Sequence, residues 1–342
     1  MEMLEEANQA YEEGKFFGIN LFDQSSAFDL LDHGILRSKL EILQFDQDTI
    51  QWYDSFLKNR KQYVHLEGVD SKVTSLVCGT PQGSSSGPLI WLIYTLDLPL
   101  VLGKTEENVV QMDEDREDNS LDKERTILFA DDVQSALTSD TKEELSQSLQ
   151  KSYTDFKEYC DLKRLKPNSS KTHFLQIQSS QRKGAHGIIP ELNFDGTTVS
   201  ASLNERVLGV QVSGRLGSWR EQVEKVLGEV AKVAGGLKKG AQYFNFKQRL
   251  ASVRSCHLSK LFYSIEVWGH GLTKVQLESL QAAQNKILRW VTQTPPRTSS
   301  LLNLKTCGLL SVRQTIAYQT LFAGLKILQD QKPVCLFDVL NL

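Results

Sequence analysis

The sequence is short of the features that mark several common classes of protein. Its five cysteines, Cys78, Cys160, Cys256, Cys307 and Cys335, are odd in number, widely scattered, and include no Cys-x-x-Cys pair. This excludes a dense disulfide framework and a thiol-redox motif, and leaves reduced, mostly buried thiols as the reading. None of the six histidines brings a cysteine into zinc spacing, so the familiar zinc modules are excluded as well. Long apolar runs are missing. The most apolar stretch, Leu89–Leu96, falls well short of the ~20 residues of a membrane helix. The Glu-rich segment Met1–Lys15 has no apolar core ahead of a small-residue cleavage site, which argues against a secretory signal. The expectation is a soluble, intracellular chain that is not secreted and has no membrane partner. No repeat of solenoid period is present.

What is there describes an ordinary globular chain. Its 342 residues, 40% hydrophobic and 24% charged, can bury one large core or two ordinary ones. The net charge of −3 hides an asymmetry. From Arg215 onward there are 18 Lys+Arg against 7 Asp+Glu, whereas residues 1–214 carry a balance of −14. A polyanion would be attracted to the C-terminal part and repelled by much of the N-terminal part unless metal ions intervene.

Patterning along the chain suggests elements of both kinds. A charged helix over Leu4–Glu13 ends at Gly14, and Phe16–Phe22 is an apolar run of strand length. Helical spacing joins Leu36, Leu40 and Leu43, and again Ile50, Tyr53, Phe56 and Leu57. Gln62–Leu66 and Lys72–Cys78 flank Gly68-Val69-Asp70-Ser71 as a hairpin. The charge run Met112–Asn119 reads as a solvated insert. Further on, the pattern predicts a strand at Thr126–Ala130 that resumes at Val133, and a helix over Lys142–Leu162. Strands follow at Thr172–Ile177 and Arg206–Val212. Trp219, Val223, Val226, Val230, Val233 and Leu237 form a narrow apolar seam on a long helix. Such a seam packs against neighbouring helices or, less commonly, against a coiled-coil partner.

Three aspartates stand out. Asp23 ends one apolar strand, and Asp131-Asp132 interrupt another far downstream. Singly, an Asp at a strand end is most often a cap or turn residue, and an Asp pair is most often an exposed turn. Bare carboxylates at the ends of buried strands are costly, and assembling several is worse, because like charges repel. Divalent cations reverse that sign. Magnesium prefers hard oxygen ligands, and pairs of ions stabilise the attacking and leaving oxygens in polymerases.

The flanks of these aspartates carry a resemblance. Leu21-Phe22-Asp23-Gln24-Ser25-Ser26-Ala27-Phe28-Asp29, followed by Asp32-His33, resembles the first catalytic motif of non-LTR (LINE-like) reverse transcriptases. Arg60–Val64, Gly79-Thr80-Pro81-Gln82-Gly83-Ser84, Gly87-Pro88-Leu89 and Asp97-Leu98-Pro99 resemble the second. Phe129-Ala130-Asp131-Asp132 resembles the third, and Leu165-Lys166-Pro167-Asn168-Ser169-Ser170-Lys171-Thr172 the fourth. Leu208-Gly209-Val210 is similar to the primer-grip strand, and Val267-Trp268-Gly269 with Leu280–Arg289 is similar to the family's thumb. The set covers nearly the whole chain in the family's order.

The resemblance implies an α+β palm, with an antiparallel sheet and packed helices, over residues 1–213, with an acidic insert at about 101–125 and a helical thumb over 214–342. It implies RNA-directed DNA polymerase activity on an RNA template, a DNA primer and deoxynucleoside triphosphates. Asp23, Asp131 and Asp132 would hold two Mg2+ ions. Phe28 would lie under the sugar and exclude a 2′-hydroxyl, Gln82 and Gly83 would line the floor beneath the nucleotide, and Lys171 would act as the acid for departing pyrophosphate.

The sequence also departs from the family. Met1 begins about one helix before Asp23, where the family has a fingers region that grips the triphosphate. Ser26 stands at a position that is usually lysine, and Ser85 and Ser86 replace an apolar pair. The reading expects no endonuclease region. The expectation is a truncated copy with little or no primer extension of its own. Two alternatives stay open at this level: an inert nucleic-acid-binding remnant, and a helical interaction protein built on the Trp219–Leu237 seam.

Overall fold

The computed structural model describes residues 2–102, 124–177, 189, 191–239 and 243–331. The acidic insert, apart from its ends, and Cys335 lie outside the described residues. The chain divides into two compact units: Ala10–Ser202, and Met1–Gln9 with Leu203–Leu342. Helix α1 (Glu2–Glu12) contributes residues to both groups.

The Ala10–Ser202 unit begins with β1 (Phe16–Phe22), α2 (Ala27–Leu30), α3 (His33–Ile42) and α4 (Gln47–Leu57). The short strands β2 (Lys61–Gln62), β3 (His65–Leu66), β4 (Val69–Asp70) and β5 (Thr74–Ser75) follow, then α5 (Gly87–Thr95) and α6 (Leu98–Leu102). The unit continues with β6 (Glu124–Phe129), β7 (Asp132–Ser139), α7 (Lys142–Leu162), β8 (His173–Ile177), β9 (Leu192–Phe194) and β10 (Thr197–Val199). Four strands make one antiparallel sheet in the order β6-β7-β1-β8. The apolar run over Phe16–Phe22 is therefore a central strand, as its composition suggests.

Helix α7 covers the sheet and spans the residues the periodicity predicts. Its N-cap Thr141 accepts a hydrogen bond from the Glu144 amide, and Glu143 and Glu144 complement the helix dipole in the first turn. Leu145 and Leu149, both fully buried, lie over Gly18, where an added Cβ would stand 3.2 Å from Leu149 Cδ1. The missing side chain lets the helix sit close on β1. Phe22 stacks on Phe156 with centroids 4.3 Å apart, and Tyr153 stacks on Phe194 at 4.1 Å. Aromatic pairs of this kind contribute about 0.5–1.5 kcal/mol beyond their burial. They anchor the strand whose next residue is Asp23.

The second unit is mostly helical. It opens with the hairpin β11 (Asn204–Val207) and β12 (Val210–Ser213) and continues with α8 (Arg220–Lys239) and α9 (Phe246–Ser252). After a π-helical stretch at Val253–Leu258 come α10 (Ser259–Leu261), α11 (Ile265–Trp268), α12 (Lys274–Thr292), α13 (Ser300–Cys307) and α14 (Val312–Asp330). Val223, Val226 and Val230 of α8 are buried in a core that also holds Trp268, Leu280, Ile287 and Val291. The Trp219–Leu237 seam thus turns its buried valines inward, against helices of its own unit. Capping boxes at Thr273/Gln276 and Ser311/Gln314 fix the starts of α12 and α14.

The segment predicted as one strand over Arg206–Val212 is a hairpin. Leu208 and Gly209 both take positive φ, 45° and 89°, which closes a two-residue turn. The tip is held from outside: Tyr263 Oη donates to the Leu208 carbonyl at 2.9 Å, and Lys225 Nζ to the Gly209 carbonyl at 2.7 Å.

Candidate active site

The sheet collects the acidic residues at one end. β1 and β7 pair antiparallel through Phe22↔Val133. Asp23 follows the last paired residue of β1, and Asp132 precedes Val133 on β7, so both leave the ladder at the same end of adjacent strands. Asp131 occupies the two-residue turn between β6 and β7, where Phe129 pairs with Asp132. Asp23 is half-buried, and Asp131 and Asp132 are exposed. The turn requires Ala130 to adopt a left-handed φ of 55°, a conformation that is uncommon for a residue with a Cβ and is often found beside functional groups.

The second predicted motif is tied to the first by hydrogen bonds. Gly79 N donates to the Leu31 carbonyl at 2.7 Å, and Thr80 N donates to the Phe28 carbonyl at 2.9 Å. A Cβ on Gly79 would lie 2.7 Å from the Asp29 carbonyl oxygen, so only glycine permits this approach. His33 Nε2 lies 2.8 Å from the Gly79 carbonyl, and Gln82 Nε2 donates to Asp29 Oδ1 at 3.1 Å. Gly83 is different. It has φ +79°, and an added Cβ would meet nothing within 4 Å. Its side of the turn is open, and its backbone conformation alone favours glycine.

The third motif is tied to both. Trp91 of α5 donates Nε1–H to the Ala130 carbonyl at 2.6 Å, and Phe28 of α2 packs against the Trp91 ring at 5.1 Å. Phe28 is only half-buried. The fourth motif closes on Asp23: Asn168 Nδ2 donates to Asp23 Oδ2 at 3.0 Å, and Asp23 N donates to Thr172 Oγ1 at 3.3 Å. Lys171 sits in the same turn with its side chain exposed. Sequence reading did not single out Asn168, Thr172 or Trp91 as partners. The only signal for Asn168 and Thr172 was membership of the fourth quoted motif, and Trp91 lay in none.

The Asp97 cluster at the end of α5 was also missed. Asp97 pairs with Lys39 at 2.5 Å and Lys163 at 2.7 Å, and accepts from Tyr159 Oη at 2.7 Å. Burial alone would push its carboxyl up; the bonds from Lys163, Lys39 and Tyr159 outweigh that and lower it to about 2. Burial pushes the Lys39 ammonium below its ordinary range even though it faces Asp97. A cavity of about 730 Å³ opens beside this cluster, and its walls include none of the predicted catalytic or substrate residues.

Among the described residues, no three His, Cys, Asp or Glu side chains form a group that holds an ion by itself. Magnesium is usually bound by one or two carboxylates and completes its shell with water and substrate phosphates. Hard oxygens at the ends of adjacent strands suit that mode, in which the protein supplies only part of the cage.

Comparison with known proteins decides the family. The family described as reverse transcriptase (RNA-dependent DNA polymerase) matches residues 2–212. The chain belongs to the reverse transcriptase family. Its relatives come from mobile elements, consistent with the non-LTR branch that the motif order implies. A probable RNA-directed DNA polymerase from transposon BS of Drosophila melanogaster is 23% identical over 314 residues, covering 91% of this chain and 33% of that protein. The RNA-directed DNA polymerase from mobile element jockey of Drosophila funebris is 24% identical, covering 84% of this chain and 30% of that protein. The chain therefore spans about a third of the length of these relatives. Among solved structures, apo telomerase from Candida tropicalis matches with a TM-score of 0.47 and 11% identity, over 93% of this chain and 46% of that one. No described helix is long and apolar enough to cross a membrane.

Proposed function

We propose that this chain carries the palm and thumb of an RNA-directed DNA polymerase, with the palm over residues 1–213 and the thumb over 214–342. The observation that carries the reading is the register Phe22↔Val133, which delivers Asp23 and the Asp131-Asp132 turn to one end of the sheet. Carboxylates brought to one end of a sheet repel one another, and a divalent cation relieves that repulsion.

Asp23, Asp131 and Asp132 are the residues that would hold Mg2+, two ions in the full site, and such ions supply charge stabilisation to the attacking and leaving oxygens. Phe28, buttressed by Trp91, offers a ring face to the sugar and excludes a 2′-hydroxyl by contact. Gln82 is oriented by Asp29, and with the open turn at Gly83 it forms the floor for the incoming base pair. The exposed Lys171 ammonium can give a proton to departing pyrophosphate. The basic balance from Arg215 onward suits the sugar-phosphate backbone of a template–primer duplex. Substrates on this reading are an RNA template, a DNA primer and deoxynucleoside triphosphates.

The experiment is extension of a DNA primer annealed to RNA in Mg2+, with dideoxy and ribonucleotide controls, by a chimera in which residues 1–342 replace the matching segment of the jockey relative. Ribonucleotide exclusion that relaxes in Phe28→Ala supports the sugar contact; unchanged selectivity argues against it.

A second reading, binding of nucleic acid without synthesis, is favoured by the same charge asymmetry. It predicts duplex binding that weakens steeply with salt and is unaffected by Asp131→Asn. The third, a partner helix at the Trp219–Leu237 seam, loses its basis because Val223, Val226 and Val230 are buried within their own unit.

A further inference from the structure

Asp23 leaves β1 where the neighbouring strand changes. As far as His173 the neighbour is β8. Beyond it, Gln24 bridges Pro167 and Ser25 N donates to the Lys166 carbonyl at 2.9 Å. The turn Asn168–Thr172 lies between, and both of its ends close on Asp23. Asn168 N donates to the Asp23 carbonyl at 2.9 Å. Asp23 N donates to Thr172 Oγ1, which in turn donates to the Asn168 carbonyl at 2.9 Å. The Asp23 backbone is thus pinned on both sides of its Cα.

The side chain is pinned separately. Asn168 Nδ2 donates to Asp23 Oδ2 at 3.0 Å, and Ser170 Oγ donates to Asn168 Oδ1 at 2.8 Å. A flipped amide would point its oxygen at the carboxylate, acceptor against acceptor. Only one orientation satisfies both neighbours.

We propose that Asn168 is a positioning residue, which holds the Asp23 carboxylate by Oδ2 and so presents Oδ1 to a divalent cation. The inference rests on Asp23 being a metal-binding carboxylate. The chemistry of the donor carries it. Asp32 is held by Arg164, Asp54 by Arg37 and Lys58, Asp97 by Lys39 and Lys163, and Asp195 by Lys157. Those carboxylates are oriented by cations, which cancel their charge and would repel an incoming ion. Asp23 is oriented instead by a neutral amide, as Asp29 is by Gln82. The amide fixes the rotamer and leaves the charge in place, so less ordering remains to be done when the ion arrives.

The test uses the full chain and Mn2+ alone, with the free-ion electron paramagnetic resonance signal as readout and thermal unfolding as the folding control. Asn168→Ala is expected to weaken Mn2+ binding about 10-fold, the usual cost of losing an outer-shell partner. Ser170→Ala, a change at an exposed residue, is expected to weaken it a few-fold by freeing the amide. Both should unfold near the wild-type temperature. Asp23→Asn separates this inference from the reading beneath it. If Asp23→Asn weakens Mn2+ binding while Asn168→Ala and Ser170→Ala do not, the positioning role is overturned and the metal reading stands. If Asp23→Asn also binds like wild type, the metal reading fails and the positioning role fails with it. Should Asn168→Ala not fold, Ser170→Ala decides alone, and unchanged affinity there overturns the proposal.

Discussion

Trp91 reaches from α5 to the turn that bears Asp131, donating Nε1–H to the Ala130 carbonyl at 2.6 Å while its ring supports Phe28 at 5.1 Å. One buried side chain thus connects the residue proposed to sense the sugar with the turn proposed to present a metal ligand. Ala130 is held at φ 55°, which costs free energy unless its surroundings enforce it, and the indole bond is one such enforcement. Trp91→Phe keeps a ring and removes the donor, at the cost of one hydrogen bond to the exposed Ala130, worth about 0.5–1.5 kcal/mol. Amide hydrogen exchange at Asp131–Val133 should accelerate several-fold in that variant. Exchange at the wild-type rate would show that the turn does not depend on the indole.

The parts legible in the sequence were those whose physics is local. Phe16–Phe22 announces a buried strand by composition, and α7 matches the helix that the sequence pattern predicts over Lys142–Leu162. The aspartates stood out because a carboxylate ending an apolar strand demands an explanation. The Leu208-Gly209 turn was hidden because leucine rarely takes a positive φ; here Tyr263, remote in sequence, holds its carbonyl. Asn168, Thr172 and Trp91 were hidden for the same reason. Their bonds to Asp23 and Ala130 join segments that spacing cannot relate, and only the folded sheet brings them together.

Gln24 offers a stability test. It is 6% exposed, and neither its Oε1 nor its Nε2 finds a hydrogen-bond partner. An unsatisfied buried amide costs about 1–3 kcal/mol, whereas an apolar side chain of similar size does not. Gln24→Leu should therefore raise the unfolding free energy by about 1–2 kcal/mol in denaturant titration. A lower midpoint for Gln24→Leu would indicate that the amide has a partner in solution.

Asp97 predicts a pH window. Its carboxyl lies at about 2 in the fold, against about 3.9 in an unfolded chain. A depressed carboxyl stabilises the folded state above the unfolded pKa, and the contribution is lost as pH falls from about 4 through about 2. Acid unfolding of the wild type should steepen in that interval. Asp97→Asn should flatten it and should also lower stability at neutral pH, because Lys39 and Lys163 lose their anion. Partial exposure keeps the neutral-pH loss modest, about 1–2 kcal/mol. An acid limb identical in both proteins would place the sensitivity elsewhere.

The central claim is that Asp23 and the Asp131-Asp132 turn form a polymerase centre. It is tested most directly by Mg2+-dependent extension of a DNA primer on an RNA template. The assay uses a chimera in which residues 1–342 replace the matching third of the jockey relative, which supplies the flanking segments. The account predicts template-directed extension by the chimera. It also predicts a loss of at least about 100-fold in Asp23→Asn and in Asp131→Asn, beyond the usual cost of an outer-shell change, with unfolding temperatures unchanged. Extension that survives either substitution, or a folded chimera that binds template–primer and Mn2+ yet extends nothing, would contradict it.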